Sequence, residues 1–101
     1  MTIDERPAKR IAEQYRGIPL YLILSYDDEG GVYDVQASIS GEAINPDQGT
    51  LSNIDALARM TALCLREYDA EYVAANLLQC ARGAKTLPSI LANAILEHGN
   101  G

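Results

Sequence analysis

TLSNIDALARMTALCLREYDAEYVAANLLQCARGAKTLPSILANAIL, residues Thr50 to Leu96, decides the fold. Three apolar stripes of helical period follow one another there with almost no linker between them. Ser52 reads as the N-cap of the first helix, with Asp55 three residues on approximating a capping box. Ile54, Leu57, Ala58, Thr61, Cys64 and Leu65 form its apolar face. Asp69 reads as the cap of a second helix, in which Tyr72, Val73, Leu77 and Cys80 point inward and which Gly83 ends. Thr86 is placed to cap a third, whose buried side is Leu87, Ile90, Leu91, Ala94 and Ile95. Pro88 is tolerated in its first turn, where a missing N–H breaks no helical hydrogen bond.

Upstream, the period changes from helical to alternating. In Ile18 to Tyr26, Leu20, Leu22, Leu24 and Tyr26 share one face, while Tyr21, Ile23 and Ser25 share the other. Both faces are rather apolar, which is the pattern of a central strand. Asp27-Asp28-Glu29-Gly30-Gly31 reads as a hairpin turn whose glycines can take positive φ. Val32 to Ser40 returns as a one-sided strand, with Tyr33, Val35, Ala37 and Ile39 toward the core and Asp34, Gln36, Ser38 and Ser40 toward water.

Arg6 to Arg16 supports two readings. Ala8, Ile11, Ala12 and Tyr15 have helical spacing, and Pro7 suits a first helical position. The same residues also make an edge strand with Lys9, Ile11, Glu13 and Tyr15 on one face. Gly41 to Gly49, marked by Asn45-Pro46-Asp47, reads as a loop. Residues 1–5 and 98–101 read as frayed ends. The expected architecture is therefore α+β: an antiparallel β-hairpin or three-stranded sheet followed by three short α-helices packed on one face, one domain over residues 1–101.

Composition narrows the functional classes. At 101 residues and nearly half apolar, the chain has material for one core, and its modest size favours self-association. A net charge of −6 disfavours binding to long nucleic acid, where basic residues must displace counterions. No run approaches a membrane span. The charged start, MTIDERPAKR, lacks the apolar centre of a signal peptide. Cys64 and Cys80 are too far apart for a zinc or redox pair and read as reduced, buried core residues. Together these features point to a cytoplasmic protein.

Catalytic chemistry finds little support. His98 is the sole histidine and sits beside the C-terminus, away from any thiol or hydroxyl held in fixed geometry. No spacing provides a metal site, and Asp27, Asp28 and Glu29 fall short of a calcium loop and read as a solvated turn. The expectation is a non-enzyme without cofactor. The cations are more informative. Arg82, Lys85 and Thr86 lie at the junction of the second and third helices, where unpaired N–H groups of a helix start favour an anion. The competing reading has Arg82 and Lys85 serving the last carbonyls of the second helix. Arg59 and Arg66, seven residues apart, share one helical face, either solvated or lining a groove in an oligomer. Tyr15, Tyr21, Tyr26 and Tyr33 lie in the sheet region. Each is either a packing residue or a platform for a base, and Tyr26 is the candidate carried forward as a ligand-binding residue.

From Leu20 onward the chain resembles the small TSCPD domain found near the C-terminus of vitamin B12-dependent (class II) ribonucleotide reductases, which also occurs as free-standing proteins. The resemblance is carried by LYLILSYDDEGGVYDVQASIS for the hairpin, SNIDALARMTALCLRE for the first helix and AEYVAANLLQCARG for the second. AKTLPSILANAI falls where the name-giving Thr-Ser-Cys-Pro-Asp stretch would lie, with Leu87 and Ser89 in place of its Cys and Asp. In that family a strand opening with Arg-Pro precedes the hairpin; Arg6-Pro7 fits, which favours strand for residues 8–16. Neither the Cys-rich zinc tail nor the catalytic barrel of the reductases is in this sequence, so reductase activity is not expected of it.

Phage anti-defence proteins that sequester the cyclic ADP-ribose signal of the Thoeris system look like the same domain, detached and oligomeric, and some are similar in binding cyclic oligonucleotide signals such as those of CBASS. The resemblance thus implies a homo-oligomeric sponge for a small anionic nucleotide, acting in the cytoplasm (the host cytoplasm if phage-encoded). Its alternative is an accessory or protein-interaction domain associated with ribonucleotide reductase.

Overall fold

The computed structural model describes residues 8–39 and 47–99. Three strands, β1 (Ala8–Tyr15), β2 (Ile18–Tyr26) and β3 (Val32–Ile39), precede three helices, α1 (Gln48–Leu65), α2 (Ala70–Cys80) and α3 (Leu87–His98). The sheet is antiparallel in the order β1-β2-β3. The fold is α+β, as expected, and the two-way reading of residues 8–16 resolves as strand over Ala8–Tyr15, with Arg16 in the turn that follows.

Alternation in β2 builds the core. Leu20, Leu22 and Leu24 are at most 1% exposed, and Ile18 and Tyr26 lie on the same buried face. Each such leucine contributes roughly 1.5–3 kcal/mol of burial. The opposite face, Pro19, Tyr21, Ile23 and Ser25, is half-buried, because only one face carries helices. Of these, α1 packs over β3, α3 reaches β1 and β2, and α2 packs mainly on α3. Ile54, Leu91 and Ile95 close the core from the helical side.

β1 joins β2 through two residues, with Tyr15 opposite Ile18. Arg16 and Gly17 both have positive φ, 54° and 79°. That is the mirror-image turn whose twist matches antiparallel strands, and it demands left-handed backbone at both positions. The turn between β2 and β3 is organised by Asp27. Its carboxylate accepts from the amides of Glu29 and Gly31, both at 2.9 Å, and its own amide donates to the Gly31 carbonyl at 2.8 Å.

Several local expectations are corrected. β3 does not alternate throughout: Tyr26 pairs with Val32 and Ser25 with Asp34, leaving Tyr33 as the extra residue of a bulge. Val32 and Val35 therefore occupy the core face, and Tyr33 is half-buried beside it rather than within it. α1 starts earlier than Ser52, because the Asp47 carboxylate accepts from the Thr50 amide at 2.7 Å and nucleates the helix from Gln48. Those hydrogen bonds from Thr50, helped by Gly49 and by the nearby charge of Arg16, hold the Asp47 carboxyl below its ordinary range.

Asp69 caps α2 as expected, accepting from Tyr72 at 2.8 Å. The helix ends at Cys80 with Ala81 extended after it, so Gly83 belongs to the following linker. Cys64 and Cys80 are exposed free thiols, not core residues, and Tyr72 is 55% exposed. In each helix Ala62 or Ala74 takes the central buried position instead, which rotates the wider apolar flank out of the core. Arg6-Pro7, Ser40, most of the expected loop (residues 41–46) and most of the expected frayed ends lie outside the described residues. Among the described residues no helix is long and apolar enough to cross a membrane.

Candidate functional site

The end of the sheet near the β1–β2 turn meets the start of α3. Thr86 occupies the N-cap position of α3, but its side chain makes no cap there. Its hydroxyl instead donates back to the Gly83 carbonyl at 3.0 Å. Pro88 has no N–H, so Leu87 and Ser89 carry the first-turn amides that Thr86 leaves uncapped. The positive end of the α3 dipole lies at the same place.

Two adjoining clefts meet here. One, about 560 Å³, is bordered by Tyr15, Arg16, Lys85, Thr86 and the first residues of α3. The other, about 740 Å³, runs from Arg16 and Lys85 over the β1–β2 hairpin to Pro19 and Tyr21. Arg16 and Lys85 border both, so the clefts form one trough with two cations at its waist. Glu13 lines the larger cleft, and the Asp47 carboxylate lies within electrostatic reach of Arg16. At the far end the Arg10 guanidinium stands 3.9 Å from the centre of the Tyr21 ring, a cation–π contact that fixes the ring.

The structure thus joins Lys85 and Thr86, as expected from the sequence. Arg82 is exposed and borders neither cleft. Arg59 and Arg66 do share one site, a cleft of about 610 Å³ between α1 and β3, together with Asp34 and Asp55. It lies at the opposite edge of the sheet from Lys85, so within one chain these arginines are not part of the same site. Tyr26 is corrected outright as a ligand-stacking residue. It is 3% exposed, packed in the core, and its hydroxyl has no hydrogen-bond partner among the described residues. Burial raises its pKa above the ordinary tyrosine value. Tyr15 and Tyr21 are the aromatic residues that border the trough, one in each cleft.

Arg16 was not singled out from the sequence, nor was Arg10 beside Tyr21, and Tyr21 was only one of four sheet tyrosines read as either packing residues or a base platform. Arg16-Gly17 between two alternating segments is a legible turn signal. Its proximity to Lys85, about seventy residues later, depends on how α3 lies on the sheet, which no local pattern encodes.

The trough has cations, an aromatic ring and uncapped amides. It is suited to holding a small anion with a planar group. Among the described residues no group of three or more metal-ligating side chains is gathered. Compared with known proteins, the chain matches no family model, no curated protein and no solved structure.

Proposed function

We propose that this protein is a non-enzymatic, homo-oligomeric binder of a small anionic nucleotide, a sponge for a cyclic or modified nucleotide signal of bacterial anti-phage defence in the cytoplasm. The observation that carries the reading is the trough waist, where Arg16 and Lys85 converge beside an uncapped helix start. A phosphate there gains charge-assisted hydrogen bonds from both side chains and the favourable end of the helix dipole. The base extends toward Tyr21. The resemblance to stand-alone TSCPD domains and to anti-Thoeris sponges supplies the nucleotide class; the cations and ring support it.

Titration calorimetry with a panel of cyclic dinucleotides, cyclic trinucleotides and cyclic ADP-ribose isomers tests this. One member of the panel gives saturable heat, and Lys85→Glu abolishes it. Absence of heat and of a thermal shift with every member refutes the reading. Heat-denaturing the complex and recovering the nucleotide unchanged separates sequestration from turnover.

A further inference from the structure

β1 is an edge strand: among the described residues its outer side has no strand beside it. The hairpin geometry decides which of its backbone groups face outward. A two-residue turn makes Tyr15 and Ile18 a hydrogen-bonded pair, so the odd-numbered residues of β1 bond to β2. Ala8, Arg10, Ala12 and Gln14 then direct their N–H and C=O groups to the open edge. Side chains follow the same period. Lys9, Ile11 and Glu13 stand opposite Leu24, Leu22 and Leu20, hence on the helical face of the sheet. Lys9 is exposed, and Ile11 and Glu13 are half-buried. An open edge is a template for another strand, and a lone edge Lys blocks such pairing. Here Glu13 stands at the mirror position, across Ile11 from Lys9. We infer that β1 pairs antiparallel with β1 of a second copy of the chain, with Ile11 on the two-fold axis and Lys9 of each copy opposite Glu13 of the other.

Register and charge select this occupant. A two-fold axis perpendicular to a continuous sheet keeps each side chain on its own face, so odd residues meet odd ones and even meet even. Centred on Ile11, the hydrogen-bonded pairs are Arg10 with Ala12 and Ala8 with Gln14, each made twice by symmetry. The pairs between them are Ile11 with Ile11 and Lys9 with Glu13. Those non-hydrogen-bonded pairs bring side chains closest, at about 4.5 Å between Cα atoms. Neighbouring registers fail on charge. Centring on Arg10 sets two Arg10 side chains opposite each other, and centring on Glu13 does the same with two carboxylates. Centring on Ala12 leaves Glu13 against Ile11 and Lys9 against Tyr15. Among the described residues neither Lys9 nor Glu13 has an oppositely charged partner in its own chain; Lys9 reaches His98 Nδ1, at 3.5 Å. The other edge strand offers no such match: β3 carries Asp34 without a Lys or Arg and is bulged at Tyr33. The pairing also sets Lys9 of the second copy beside Glu13, which lines the larger cleft. Resting on the proposed function, this offsets a carboxylate where the anion lies, so the second copy contributes a residue to the trough.

Sedimentation velocity of the full chain from about 1 to about 100 µM, without nucleotide, tests the interface separately from ligand binding. A dimer is expected. Lys9→Glu and Glu13→Lys each set like charges opposite one another at two places and weaken the dimer about tenfold. The double variant reverses both pairs and restores it. Register is read by oxidative cross-linking in a chain carrying Cys64→Ser and Cys80→Ser. Ile11→Cys, on the axis, holds two thiols at a Cα separation that a disulfide accepts, and it links the copies. Gln14→Cys, which faces Ala8, does not. A monomer at about 100 µM overturns the inference. So does a dimer indifferent to both charge reversals, one that the double variant does not restore, or one that Gln14→Cys links as fast as Ile11→Cys.

Discussion

Arg16 sits at φ 54° in a turn position that favours glycine or asparagine, while its guanidinium group borders the trough. Left-handed backbone costs an ordinary L-residue about 1–2 kcal/mol, and asparagine tolerates it better. Arg16→Asn should therefore stabilise the free protein by about 1 kcal/mol, raising Tm by ~4–8 °C for a domain of this size. The same change deletes a cation at the waist. A hydrogen bond to a charged partner contributes about 1.5–3 kcal/mol, and Arg16 is exposed, so the lower end applies and affinity falls about tenfold. Stability and binding move in opposite directions. Arg16→Lys is the control: it retains both charge and strain, so neither quantity changes much. Chemical denaturation without ligand gives the first number, and calorimetry with the nucleotide selected from the panel gives the second. If Arg16→Asn gains no stability, the turn stores no strain. If its affinity equals that of the native chain, Arg16 does not contact the ligand.

Two further changes test the core and the caps. Tyr26→Phe removes a buried hydroxyl that has no partner among the described residues and is expected to stabilise by about 1 kcal/mol in urea unfolding, since an unsatisfied buried polar group costs about 1–3 kcal/mol. Because the folded-state pKa of Tyr26 is raised, the native chain holds this proton more tightly than the unfolded chain. Its stability contribution is complete below pH 10 and declines above it, by at most ~1.4 kcal/mol per pH unit. The gap between Tyr26→Phe and the native protein therefore widens from pH 9 to 11, and a constant gap would contradict burial of this hydroxyl. Asp69→Ala removes the cap of α2 and should cost about 1 kcal/mol in the same assay; an unchanged midpoint would show that the cap contributes nothing.

How far the chain was legible depended on the range of the interaction. The Leu20-Leu22-Leu24 alternation and the Asp69 cap act within a few residues, and both were read correctly. Ser52 failed as the start of α1 because Asp47, a stronger cap, stood in a stretch that its Asn-Pro-Asp composition marked as loop. Tyr33 failed because one extra residue in a bulge reverses the alternation for everything on its far side. Cys64, Cys80 and Tyr72 failed for a different reason. Their apolar character was read as core, although the core was already filled by Ala58, Ala62 and Ala74 with the leucines of the sheet. An apolar residue on the edge of a helical stripe can face a core or another molecule, and periodicity does not separate the two.

The same limit applies to electrostatics, and there it favours a small ligand over a polymer. Summed over the sequence the charge is −6, which alone discourages any anion. Yet charges separated by more than about 8 Å are largely screened at physiological salt. A compact anion at the waist of the trough responds to Arg16, Lys85 and the start of α3, and to Glu13 and Asp47 nearby, more than to Asp27, Asp28 or Glu29 at the other hairpin turn. A nucleic acid laid across a molecule 40 by 35 by 19 Å spans far more than the waist, and the chain as a whole carries a net charge of −6 against it. Size exclusion of this kind needs no gate or lid. Under the proposed function, two cations at one junction of an otherwise acidic chain would favour ligands not much longer than the trough itself.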